Sequence, residues 1–324
     1  MRLPGSSFLL FCAATLLVPA TARAQTFKFY SVGFVTPAAV NSSGTIAGSF
    51  CCSYTPGFDG PEQEGHGFML QMNRRGTQVF KVTEPNGSAD SFATGIDPAS
   101  DVVGGFCPGI ESCSSGNAIH GFLFSGSSNS AQAIDVPGAL ATLAGGINGT
   151  GQIVGMYCNA TTCSLNYAAD SNGFLLDHIG GTFTTIAFPG AIGTAASAIN
   201  DSGQIVGIYE ACQTPNSGSE VLRLPCTFVQ PHGFLLSGGT YTTIDPPDST
   251  NTLVGAINNS GAIAGTYADA SNKSHGFLLK AGFFTIVDYP GATGTAITGV
   301  NDHGEIVGSA YFNSRIENFI GIPQ

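Results

Sequence analysis

An all-β fold, a ring of six four-stranded blades closed by its own N-terminal strand, is what this 324-residue sequence predicts. Three observations predict it. A tract close to Ile-Asn-x-x-Gly-x-Ile-Val-Gly recurs from Val40, Ile96, Ile147, Ile199, Ile257 and Val300, at intervals of 56, 51, 52, 58 and 43 residues. A second motif follows each copy, at His66, His120, Asn172, His232 and His275 as (His/Asn)-Gly-Phe, and at Glu317 in a degraded form. The two ends of the chain are complementary: the last repeat stops after three strands, whereas TFKFYSVGFVTP from Thr26 reads as an isolated fourth strand.

The first 24 residues carry Arg2, an apolar run from Phe8 to Val18 and the small-residue site Ala22-Arg23-Ala24. That order of charge, apolar core and cleavage site predicts a secretory signal peptide over 1–24 and a mature domain over 25–324. The protein is therefore expected to be extracellular or periplasmic. No later stretch is long and apolar enough to span a bilayer as a helix, so no membrane association is expected.

Within each repeat, a tract of Gly, Ala, Ser and Thr such as GTAASAI predicts the innermost strand, where blades crowd around an axis. Asn-x-x-Gly supplies a tight turn into the Ile-Val-Gly strand, the His-Gly-Phe strand comes third, and alternating segments such as YTTID make the fourth. An open β-solenoid is the alternative, but its coils would need more uniform lengths and no complementary ends. The absence of Trp separates the chain from the tryptophan-bearing propeller repeats.

Eight of the nine cysteines follow the leader and fall in pairs: Cys51 with Cys52, Cys107 with Cys113, Cys158 with Cys163, and Cys212 with Cys226. Each pair lies between the second and third strands of one repeat. In an exported chain this predicts four local disulfides, each stapling one loop. Zinc is the competing reading, disfavoured by the oxidising compartment and the lack of closely spaced histidines.

The alternation of His-Gly-Phe-Leu-Leu with Ile-Asn-x-x-Gly-x-Ile-Val-Gly resembles the bacterial extracellular repeats of the HAF type over nearly the whole mature chain. Gly67, Gly121, Gly233 and Gly276 stand where that family's name implies Ala. The resemblance implies secretion and repeated β units, and no particular activity.

Net charge is -11, and removal of Arg2 and Arg23 with the leader would make it -13, which disfavours nucleic acid as a partner. His66, His120, His232 and His275 occupy equivalent places, with Asn172 in a fifth, so they read as a ring of structural hydrogen bonds. Asp135, Asp245 and Asp288 recur beside the proline connectors and read as turn caps. The Asn-x-x-Gly loops, and Asp97 with Asp101, read as Asx turns rather than calcium sites, which need more oxygens. No Gly-x-Ser-x-Gly elbow, phosphate loop, dinucleotide fingerprint or His-Glu-x-x-His pair is present, so no catalytic residue, cofactor or metal is assigned.

Function is expected on the face where the second-to-third-strand loops emerge, because those loops are long, variable and stapled. The candidate ligand-binding residues are Phe58, Glu111, Tyr167, Asp170, Glu210, Arg223 and Arg315. The expected function is a secreted, monomeric, noncatalytic recognition or scaffold module that binds a neutral glycan or an exported protein. The alternative is an extracellular carbohydrate-active hydrolase or lyase acting over the central channel, on fold analogy alone.

Overall fold

The computed structural model describes residues 25–33, 35–51, 65–73, 76–81, 90–108, 119–159, 171–212 and 229–324. They form six four-stranded antiparallel sheets and, among the described residues, no helix. Five blades run in chain order from the inner strand outward: residues 36–81, 90–134, 141–186, 193–244 and 251–287. The sixth takes its inner three strands from Gly294–Val300, Ile306–Phe312 and Arg315–Pro323, and its outer strand from Phe27–Gly33 at the other end of the chain. Phe27 pairs with Pro323 and Tyr30 with Ile320, as the complementary ends predict. This closure leaves the last blade without the raw edge that an incomplete sheet would expose.

The repeat motifs are packing instructions. Phe68, Phe122, Phe174, Phe234, Phe277 and Phe319, the aromatic of each third strand, are all wholly buried. In the first five blades the ring packs against the glycine of the neighbouring second strand: a Cβ on Gly207 would fall 2.9 Å from Phe234 Cε1 and would also collide with the Ala195 carbonyl. The glycine of the third strand is fixed by the next contact outward. A Cβ on Gly233 would come 2.7 Å from the Ile244 carbonyl oxygen of the fourth strand, which explains Gly at this position. Removing one buried Phe ring costs about 3–5 kcal/mol in a core of this kind.

The Asn-x-x-Gly segments are Asx turns. Asn41 Oδ1 accepts the amides of Ser43 at 3.1 Å and Thr45 at 3.0 Å, and the turn glycine has positive φ, +78° at Gly44. In blade two the glycine is replaced by Ser100, which holds the same left-handed conformation at φ 67°.

Cys107, Cys158 and Cys212 are each disulfide-bonded. Cys52, Cys113, Cys163 and Cys226, together with the side chain of Cys51, lie outside the described residues, as does the expected signal peptide.

Candidate functional site: the central axis and the long-loop face

Along the axis the inner strands build four successive layers. At the face formed by the Asx turns, asparagine side chains tie each blade to the next. Asn148 Nδ2 donates to the Asn200 carbonyl at 3.0 Å, Asn200 to Asn258 at 3.1 Å, Asn258 to Asn301 at 2.8 Å, Asn301 to Asn41 at 3.0 Å, and Asn41 to Asp97 at 3.0 Å. The sixth position is Asp97, whose carboxylate has no amide with which to continue the ring. Burial pushes its pKa up, and the nearby Asp101 and Asp201 charges add to the rise, against the amides of Asp101 and Ala99.

Above this ring six β-branched side chains, Val40, Ile96, Ile147, Ile199, Ile257 and Val300, converge and close the channel. The next layer arises from one repeated irregularity. Every inner strand carries a β-bulge at the same place, and the residues skipped in the pairing are Ala38, Thr94, Gly145, Ser197, Gly255 and Thr298. All six line the floor of a chamber of about 460 Å³. Small side chains are needed there because the blades meet closely: a Cβ on Gly145 would lie 2.6 Å from the Ala196 carbonyl oxygen of the next blade.

The chamber wall is formed by Phe92, Leu143, Ala195 and Thr36 on the inner strands, with Ser49, Met156 and Ile208 behind them on the second strands. Among the described residues this wall carries no ionisable side chain. It opens away from the Asx turns, toward the side on which the second strands end and the long inserts 52–64, 109–118, 160–170 and 213–228 begin.

Where the third strand begins in blades two, four and five, an imidazole is held between an aromatic ring and a carboxylate. His120 Nδ1 is 2.9 Å from Asp135, His232 Nδ1 2.7 Å from Asp245, and His275 Nδ1 2.9 Å from Asp288. The rings pack on Phe106 at 5.5 Å and on Tyr209 and Tyr267 at 5.2 Å, centroid to centroid. Sequence reasoning expected these histidines to satisfy backbone groups and the aspartates to cap turns, but the two sets bond to each other. The signal was present: blade three carries Asn172 for His and Ala187 for Asp, losing both partners together. His275 Nε2 also lies 3.4 Å from Asp269, whose carboxyl is held down to about 2 by the Ser271 hydroxyl and the Lys273 amide. His66 packs on Phe50 at 5.6 Å, and its buried Nδ1 has no hydrogen-bond partner among the described residues.

Of the residues singled out from sequence, Phe58, Glu111, Tyr167, Asp170 and Arg223 lie outside the described residues. Glu210 is not a loop residue. The second strand of blade four runs on to Cys212, so Glu210 pairs with Pro231 and Gly193 inside the sheet and is 2% exposed. Arg315 does stand on an exposed hairpin, with its guanidinium 4.2 Å from the centre of the Phe312 ring and 3.6 Å from Glu317. The chamber itself was missed, since bulge positions leave no mark in a single strand's composition beyond small residues. Among the described residues no group of three or more His, Cys, Asp or Glu side chains converges as a metal site.

No protein-family model matches the chain, and no curated protein sequence does. Solved structures share its architecture at low identity. TolB from Acinetobacter baumannii is similar with a TM-score of 0.54 at 12% identity, over 86% of this chain and 63% of that one. A sialidase from Trypanosoma rangeli aligns at 0.48 and 10% identity over 92% of this chain and 55% of that one. The β-propeller domain of a trilobed protease from Pyrococcus furiosus aligns at 0.45 and 10% identity, over 91% and 84%. The likeness to TolB is one of fold, and the chain is a six-bladed β-propeller.

Proposed function

We propose that this protein is a secreted recognition module of the HAF-repeat type that holds a neutral glycan on its long-loop face. The observation that carries the reading is the channel: among the described residues its wall is apolar, with hydroxyls as its only polar side chains and no acid or base in the lining. Hydrolysis of a glycosidic bond by the usual route needs two carboxyl groups flanking the bond, and a wall of Phe, Leu, Met and Ile is suited to binding instead. Net charge of -11 disfavours polyanionic ligands. Cys107 with Cys113, Cys158 with Cys163, and Cys212 with Cys226 staple the loops in this reading, and Cys51 with Cys52 makes the fourth pair. Stapled loops lose less conformational entropy on binding.

The test is retention of the mature, oxidised protein on insoluble neutral polysaccharides. Arg223→Ala and Glu111→Ala, in the inserts between second and third strands, should each weaken retention several-fold, and Ser202→Ala, on the Asx-turn face, should not. Equal retention of all three variants would refute the assignment of the face. Capture of an exported protein, with no polysaccharide retained, would replace the glycan by a protein ligand.

A further inference from the structure

We propose that the central chamber is a binding site for one small, neutral, predominantly apolar molecule, held by the ring itself. This goes beyond recognition at the loop face and does not depend on it.

The fold does not require the chamber to be empty. The residues of the widest layer occupy one equivalent position in each blade, fixed by their pairing with the second strand. Thr36 pairs with Ser49, Phe92 with Gly105, Leu143 with Met156, Ala195 with Ile208, Leu253 with Thr266 and Ala296 with Ser309. Blades two, three and five place Phe or Leu there, whereas blades one, four and six place Thr or Ala. Four of these positions, Thr36, Phe92, Leu143 and Ala195, line the chamber, and it is widened where Thr36 and Ala195 are small and their equivalents are Phe or Leu. Two layers below, the same strands bring six β-branched side chains together and leave a cavity of only about 70 Å³. A purely structural axis would be filled at both levels, since an unfilled void forfeits packing contacts.

The wall chooses the ligand class. A volume of about 460 Å³ falls in the range of small-molecule sites. A charged ligand would be desolvated with no counter-charge among the described wall residues, which is prohibitively unfavourable. Water is a poor occupant of an apolar space that offers few hydrogen-bonding partners. The Thr94 and Thr298 hydroxyls already donate to backbone carbonyls at 2.7 and 2.9 Å. Thr36, Ser49 and Ser197 are left to meet one polar group on an otherwise apolar ligand.

The experiment titrates N-phenylnaphthylamine, a neutral dye that fluoresces in apolar surroundings, into the mature protein and three variants. Ala195→Leu and Thr36→Leu each install the residue that blades three and five carry at the same position, so each fills the chamber with a side chain the fold accepts. Phe283→Ser removes an exposed apolar side chain, 59% accessible, on the outer edge of blade five and controls for surface binding. Saturable one-to-one binding is expected for the unaltered protein and Phe283→Ser, weakened about tenfold or more in either filled variant. Melting curves identify the folded variants, and either filled variant alone suffices. Absence of saturable binding, binding that survives filling, or binding lost in Phe283→Ser would each overturn the proposal.

Discussion

The side-chain amide of Asn301 donates to the main-chain carbonyl of Asn41 at 3.0 Å, joining residues 260 apart in the chain. With the pairing of Phe27–Gly33 onto Arg315–Pro323 it closes the ring twice, once at the axis and once at the rim. Asn301 Oδ1 also accepts the amides of His303 and Glu305 at 3.1 and 3.0 Å, so one side chain shapes a turn and bridges two blades. Asn301→Ala should therefore lower stability by about 2 kcal/mol, more than a single surface hydrogen bond, because buried partners are left unsatisfied. Urea denaturation of the mature chain measures it.

Asp97→Asn should do the opposite. It supplies the one amide missing from the ring and removes a buried carboxyl, and a gain of about 1 kcal/mol near neutral pH is expected. The pH dependence has a definite sign. Because the folded pKa of Asp97 is raised, the native state holds the proton more tightly than the unfolded chain. This contribution is fully present below the unfolded value of about 3.9 and is lost as pH rises through the folded value. The advantage of Asp97→Asn should accordingly grow with pH across that window, as followed by melting temperature.

Ser100→Gly should stabilise the chain by about 1 kcal/mol, since Ser100 holds φ 67° where the other five Asx turns have glycine. Thermal unfolding of the single variant checks this, and an unchanged or lowered melting temperature would contradict it.

The His–Asp contacts should behave as pairs. Asp245→Ala alone leaves the partly buried His232 imidazole without its acceptor and should cost about 1 kcal/mol. Adding His232→Asn recreates the combination that blade three already uses, Asn172 with Ala187, and should recover part of the loss. A double-mutant cycle gives the coupling, expected at about 0.5–1.5 kcal/mol.

The blade count, the strand order and the closure by the N-terminal strand were legible in sequence because a repeat reports each contact six times. The Asn–carbonyl ring was half legible: Asn at a fixed place predicts an Asx turn, but the bond from Asn200 to Asn258 joins two repeats and has no local signature. Glu210 was misplaced because it directly follows the Ile-Val-Gly-x-Tyr tract and reads, by composition, as the start of a loop, while its partner Pro231 lies beyond a long insert. The chamber was illegible for a related reason. It depends on which of six equivalent positions are small, and Ala195 differs from Leu143 only when the repeats are superposed on a ring.

Incubation of the mature, oxidised protein with a panel of neutral and acidic polysaccharides, with bound protein and released sugar measured together, tests the recognition reading most directly. Retention on a neutral polysaccharide with no soluble product is the expected result. Release of shortened saccharides would contradict it and make the long-loop face an active site.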